Sequence, residues 1–86
     1  MKIWAKIIKG EKILLDLIYE TKNILNRENY SNALYAICRE LDIDTPIDLD
    51  YYYNNFDEFN ISKYNSTDFV DKVHFSHLVL ENCSGK

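Results

Sequence analysis

Apolar residues recur at two different periods along this chain. Between Arg27 and Leu41, the residues Tyr30, Ala33, Leu34, Ile37, Cys38 and Leu41 follow the i, i+3, i+4, i+7, i+8, i+11 spacing of one helical face. Glu28, Ser31, Asn32, Arg39 and Glu40 fall away from it, so this stretch predicts an amphipathic helix on which the rest of the chain packs. Asn23 or Asn26 is placed to cap its start, and Arg39 suits the negative end of its dipole. Asp42 stops it, Ile43 folds back onto it and Pro46 prevents its resumption.

The first twenty residues follow the shorter period. Ile3-Trp4-Ala5-Lys6-Ile7-Ile8 and Ile13-Leu14-Leu15-Asp16-Leu17-Ile18-Tyr19, rich in β-branched and aromatic residues, flank Lys9-Gly10-Glu11-Lys12 and predict a β-hairpin. A two-residue Gly10-Glu11 turn suits type II′ geometry but sets Ala5 against Asp16 and Lys6 against Leu15. Pairing Lys9 with Ile13 instead sets Lys6 against Asp16, Lys2 against Glu20, Ile7 against Leu15, Ala5 against Leu17 and Ile3 against Tyr19. The second register is expected, because a one-residue slip changes every cross-strand pair and only this one matches charges. It gives one face of Ile3, Ala5, Ile7, Leu15, Leu17 and Tyr19 as a seat for the helix. The other face carries Trp4, Ile8, Leu14 and Ile18 among Lys2, Lys6, Asp16 and Glu20, too apolar to be left in water. Either the C-terminal half of the chain or another molecule covers it.

Beyond Pro46 the pattern is less decisive. Tyr52, Phe56 and Phe59 lie at i, i+4, i+7 and predict a short second helix capped by Asp48 or Asp50, although the three adjacent tyrosines also allow a strand at Leu49 to Tyr53. Ile61 to Tyr64 forms a short strand, Asn65-Ser66-Thr67-Asp68 a polar turn before an anchor at Phe69-Val70, and Val73 to Glu81 contains a terminal strand centred on Leu78-Val79-Leu80. The expected fold class is α+β: an N-terminal β-hairpin, one main helix packed on a small antiparallel sheet, a short second helix and one or two C-terminal strands.

Composition adds bounds. A chain of 86 residues, 47% hydrophobic and 14% aromatic, has material for one core and one domain spanning 1–86. Two cysteines cannot make a disulfide framework. No apolar run reaches the length of a membrane span and no secretory signal opens the chain, so a cytoplasmic protein with reduced thiols is expected. The tripeptides at Asn60, Asn65 and Asn82 that match a glycosylation pattern follow from richness in Asn. Abundant Asn, Ile, Tyr and Lys with few Ala, Gly and Pro suggests a bacterial or phage gene of low GC content.

The net charge of −4 is unevenly spread: seven acids and no Lys or Arg lie between Glu40 and Ser62, whereas residues 1–22 hold five lysines. The acidic middle disfavours nucleic acid as a partner.

Few residues point to chemistry. Asp42, Asp44, Asp48 and Asp50 bracket Thr45-Pro46, but an EF-hand loop counted from Asp42 would need Gly where Ile47 stands and Glu where Tyr53 stands. His74, His77, Asp71 and Cys83 include zinc-ligand types without zinc-site spacing, and a general base at His74 or His77 beside Asp71 is the only enzyme reading available. Cys38 belongs to the helix's apolar face, Cys83 has no cation near it in sequence, and Gly10 and Gly85 cannot form a phosphate loop. Tyr51, Tyr52 and Tyr53 form the richest cluster of interface-type residues; the alternative is that two serve the core and the third its rim.

The run Lys2 to Lys9 with Tyr19-Glu20, then Ile37-Cys38, Leu41-Asp42-Ile43, Thr45-Pro46, Phe56, Phe59-Asn60, Asp68-Phe69-Val70 and Leu78-Val79-Leu80, resembles a small family of uncharacterised bacterial proteins. That resemblance implies a single domain and brings no activity, cofactor or partner with it. The expected function is a non-enzymatic protein–protein interaction module, a homodimer, without cofactor, metal or catalytic residues. Its interface candidates are Trp4, Ile8, Leu14, Ile18, Tyr51, Tyr52, Tyr53, Asp48 and Asp50. The alternative is a small phage or mobile-element inhibitor that binds a host protein through its acidic aromatic segment.

Overall fold

Two strands, two helices and two further strands follow one another in a computed structural model that describes residues 1–22 and 26–84. Strand β1 (Lys2–Lys9) and strand β2 (Lys12–Glu20) form the N-terminal hairpin, helix α1 (Arg27–Glu40) follows, then helix α2 (Asp50–Phe59), strand β3 (Ile61–Asn65) and strand β4 (His77–Asn82). The strands make one antiparallel sheet in the order β2-β1-β4-β3. The α+β architecture with an N-terminal hairpin is therefore present.

The hairpin uses both registers weighed from the sequence. From Lys2 opposite Glu20 to Ile7 opposite Leu15 the charge-matched pairing holds, but then Ile8 pairs with Ile13 and Lys9 with Lys12. The turn is thus the two-residue Gly10-Glu11, with Gly10 at φ +61°, the positive value a type II′ turn needs at its first central position. Leu14 is the extra residue, a β-bulge that reconciles a tight turn at one end with matched charges at the other.

Helix α1 begins where Asn26 accepts a hydrogen bond from the Asn29 N–H at 2.8 Å; Asn23 lies outside the described residues. It ends in a Schellman closure: Asp42 takes φ 58°, the Asp42 N–H donates to Arg39 O and the Ile43 N–H to Cys38 O. Helix α2 corrects two expectations. Residues 50–59 are helical, which excludes the strand, and the N-cap is Leu49 with no side-chain bond. Neither aspartate caps because both are held by Arg27: Nε lies 2.9 Å from Asp50 Oδ1 and Nη1 2.9 Å from Asp48 Oδ1, while Ser31 Oγ donates to Asp48 Oδ2 at 2.6 Å. Asn60, left-handed at φ 64°, turns α2 directly into β3. The polar turn after β3 is a single 3-10 turn over Ser66–Asp68, closed by the Asn65/Asp68 capping box. Of the expected anchor pair only Phe69 is buried; Val70 is 90% exposed.

One side of the sheet and both helices enclose the core. Ile3, Ala5 and Ile7 of β1, Leu78 and Leu80 of β4 and Tyr64 of β3 pack with Tyr30, Ala33, Leu34, Ile37 and Cys38 of α1 and Tyr52 and Phe56 of α2. Within it runs a hydroxyl chain. Tyr30 donates to Ser62 Oγ at 2.9 Å and Ser62 donates to Tyr52 O at 2.6 Å, so Tyr30 has no proton left and Tyr64 donates to Tyr30. The hydroxyls of Tyr30, Ser62 and Tyr64 are each satisfied, which makes their burial affordable.

Candidate functional site

The hairpin's outer face, where the sequence places four interface candidates, is partly closed by its own side chains. Trp4 Nε1 donates to Asp16 Oδ2 at 2.9 Å and the Lys6 ammonium sits 3.9 Å from the Trp4 ring centroid. Lys6 also reaches Glu81 of β4 at 3.4 Å, an ion pair whose side chains are only 12% and 24% exposed. Trp4 is consequently half-buried, Ile8 is half-buried between Ile13 and His77, and Val79 between Lys6 and Lys63 is buried. Both helices lie across the opposite side of the sheet with the core.

Exposure is concentrated on β2. Ile13, Leu14, Leu15 and Ile18 are 49%, 42%, 54% and 53% exposed. Leu14 and Ile18 were expected here, while Ile13 and Leu15 were not. Leu15 lies on the core-facing side opposite Ile7, but the layer above is centred on β1, β4 and β3, so the turn end of β2 projects past it. The seat predicted for the helix therefore loses Leu15, keeps Leu17 and Tyr19 partly buried, and fully buries only the β1 residues. Consecutive apolar residues at 13, 14 and 15 were the available signal: strict alternation does not produce such a run, and here it marks the bulge.

The acidic aromatic segment divides differently. Tyr52 is buried and stacked on Tyr64, with ring centroids 4.2 Å apart, and Tyr53 is half-buried and edge-on to Tyr30, with ring centroids 5.7 Å apart; Tyr51 alone projects, 64% exposed. Two tyrosines thus serve the core and one the rim. Asp48 is half-buried and tied to Arg27, its Oδ1 close enough for the charges although no N–H is aimed at it. Asp50 remains largely in water. Ile47 and Leu49, not among the interface candidates, are exposed beside them, and so is Phe59, which the i, i+4, i+7 spacing had placed on one face with the buried Tyr52 and Phe56. Tyr51, Asn55 and Phe59 of α2 face Ile61, Lys63 and Asn65 of β3 across an open groove of about 420 Å³.

The groups that could have carried chemistry stand apart. His74 is exposed in a cleft of about 470 Å³ whose walls mix Arg39 and Lys72 with Asp42 and Asp44. His77 is half-buried on β4, and burial, reinforced by the Lys63 charge, holds its pKa below the usual imidazole value. Burial pushes the Cys38 thiol up to about 12, away from nucleophilic use, and Cys83 is half-buried with Sγ 3.4 Å from Lys2 O. Among the described residues no three of His, Cys, Asp and Glu converge as metal ligands would, and no helix is long and apolar enough to cross a membrane.

Compared with protein-family models, curated proteins and solved structures, the chain matches none.

Proposed function

We propose that this protein is a non-enzymatic protein–protein interaction module that works as a homodimer through β2 of its N-terminal hairpin. One observation carries the reading: four aliphatic residues of β2, Ile13, Leu14, Leu15 and Ile18, stand about half in water beside Leu17 and Tyr19, which are only partly buried. Aliphatic side chains standing bare along one strand of a small domain mark a place where another molecule sits. The charge distribution fits a second copy, since the hairpin is rich in Lys and the segment from Glu40 to Ser62 is acidic. Sedimentation velocity over a wide concentration range tests it: a reversible dimer is expected, and a monomer at the highest concentrations rejects it.

A second reading keeps the acidic aromatic segment as a surface for a different, basic protein, as a phage or mobile-element inhibitor would use it. Its support is Tyr51 with Ile47, Leu49 and Asp50, all exposed around the start of α2. Affinity capture compared between the native chain and Asp50→Lys or Tyr51→Ala should lose one basic protein; identical captures reject this reading.

A further inference from the structure

We propose that the open edge of β3 receives a strand of a partner protein, laid antiparallel in the groove between β3 and α2, with two apolar side chains turned toward the helix and a basic residue at its end. The inference rests on the second reading above, in which the acidic aromatic segment meets a basic protein, and names how that protein is held. β3 ends the sheet on the side away from β2, with β4 as its neighbour. The Asn82 N–H donates to Asn60 O at one end of their ladder and the Ser66 N–H to Ser76 O at the other. Antiparallel bonding alternates, so Ser62 and Tyr64 bond β4 while the N–H and C=O groups of Ile61 and Lys63 point out at the edge. Asn65 obeys the same alternation: its N–H is turned out and held by Asp68 Oδ2 at 2.7 Å, which closes the edge at that end. The length left open suits a short extended segment.

The helix beside this edge selects the side chains of the occupant. Tyr51, Asn55 and Phe59 step along α2 at about 6 Å each, while β3 returns past them through Asn65, Lys63 and Ile61 on the other wall of the groove. Side chains on one face of a strand repeat at about 6.6 Å, nearly the same step. The residues of an added strand opposite Tyr64 and Ser62 therefore fall between Tyr51 and Asn55 and between Asn55 and Phe59. Tyr51 and Phe59 are 64% and 61% exposed, so each notch has an aromatic wall for an apolar side chain to cover. A flat apolar surface would cover those rings, but only an extended backbone also answers the outward N–H and C=O groups. Charge marks one end of the groove. The last turn of α2 carries Asp57 and Glu58 and no basic residue, at the negative end of the helix dipole. The Lys63 ammonium lies on the outer side of the sheet toward His77, so the helix wall keeps its negative sign.

An end-blocked peptide, Thr-Val-Thr-Val-Thr-Arg-Arg, tests the pairing on the native chain by NMR; its valines occupy the two notches and its arginines reach Glu58. In the free chain the Ile61 and Lys63 amides should exchange quickly with solvent while those of Ser62 and Tyr64 are protected. With the peptide bound, Ile61 and Lys63 should exchange at least about tenfold more slowly. Lys63→Pro withdraws one outward N–H without breaking a bond to β4 and should weaken the peptide about tenfold, and Phe59→Ala should do so similarly. Circular dichroism establishes that both variants keep the fold. A peptide that fails to bind, or that binds without protecting the two amides, overturns strand addition and leaves the second reading standing. That reading falls separately, and this inference with it, if capture of a basic protein is indifferent to Asp50→Lys and Tyr51→Ala.

Discussion

Strands β2 and β4 flank β1 on its two sides, and each contains three aliphatic residues in a row, with opposite outcomes. Leu78, Val79 and Leu80 of β4 are at most 5% exposed, whereas Ile13, Leu14 and Leu15 of β2 are 42–54% exposed. Side-chain chemistry does not separate them. β4 has a strand on either side, helices over one face and the Lys6–Glu81 pair, with Trp4 nearby, over the other; β2 has one neighbour and a helix layer that stops short of its turn end. The number of neighbours a strand acquires decides whether a hydrophobic triplet becomes core or surface, and an edge triplet keeps the capacity to acquire one more.

The same substitution made in both strands should expose that difference most strongly. Leu80→Ala removes a buried side chain among α1, α2 and β1 and should cost about 2–5 kcal/mol in urea unfolding. Leu15→Ala loses contacts that are half water already and should cost the monomer less than about 1 kcal/mol. Equal losses would show that the turn end of β2 is covered within the single chain.

A smaller effect is expected beside β4, in the hydroxyl chain. Ser62→Ala leaves the Tyr30 hydroxyl proton without its acceptor inside the core and removes the second hydrogen bond to the Tyr52 carbonyl, which should cost about 1–3 kcal/mol. The same residues set an alkaline limit. Burial pushes Tyr30 up to about 12 and raises Tyr64 as well, against an ordinary tyrosine value of 10.0 in the unfolded chain. The unfolded chain therefore releases protons first as pH rises, so this stability is fully present below the unfolded value and is lost on approach to the folded one. The urea midpoint should fall between about pH 10 and pH 12. A flat midpoint across that interval would contradict a buried, protonated pair.

How much of this was legible in the sequence depended on whether local pattern or partner choice made the decision. α1 could be read because its face, its cap at Asn26 and its stop at Asp42 are all written within one stretch. The hairpin charges set most of the register, since Lys2/Glu20 and Lys6/Asp16 distinguish one slip from the next. The bulge at Leu14 was legible only in part: the apolar run from 13 to 15 breaks strict alternation, but turn and charges demand different registers and only their compromise satisfies both. The caps expected at Asp48 and Asp50 failed for a non-local reason, as Arg27, more than twenty positions earlier, claims both carboxylates. The candidate surface was half legible. Ile18 and Tyr51 stay exposed, but Trp4 is partly covered by Lys6 from two residues along β1, and Tyr52 is taken into the core by Tyr64. That Leu15 would lie bare was settled by β4, whose insertion beside β1 drew the helices away from the hairpin.

The smallest difference separates two lysines of β1 on the same outer face. Lys2 pairs with Glu20 at 3.6 Å with both side chains mostly in water, 59% and 71% exposed. Lys6 lies 12% exposed, over the Trp4 ring and 3.4 Å from Glu81, on the side of β1 that meets β4. Exposed ion pairs are screened and hold two long side chains at an entropic loss, so Lys2→Ala should change stability by less than about 0.5 kcal/mol. Lys6→Ala withdraws a covered aliphatic stem, a cation over the indole and one partner of a half-buried Glu81, and should cost about 1–2 kcal/mol. Lys6→Met restores the stem without the charge, and recovery of most of that loss would assign it to packing. If Lys2→Ala and Lys6→Ala proved equal, the inner half of the face would be as open as its rim, and Trp4 would rejoin β2 as the surface most in need of a partner.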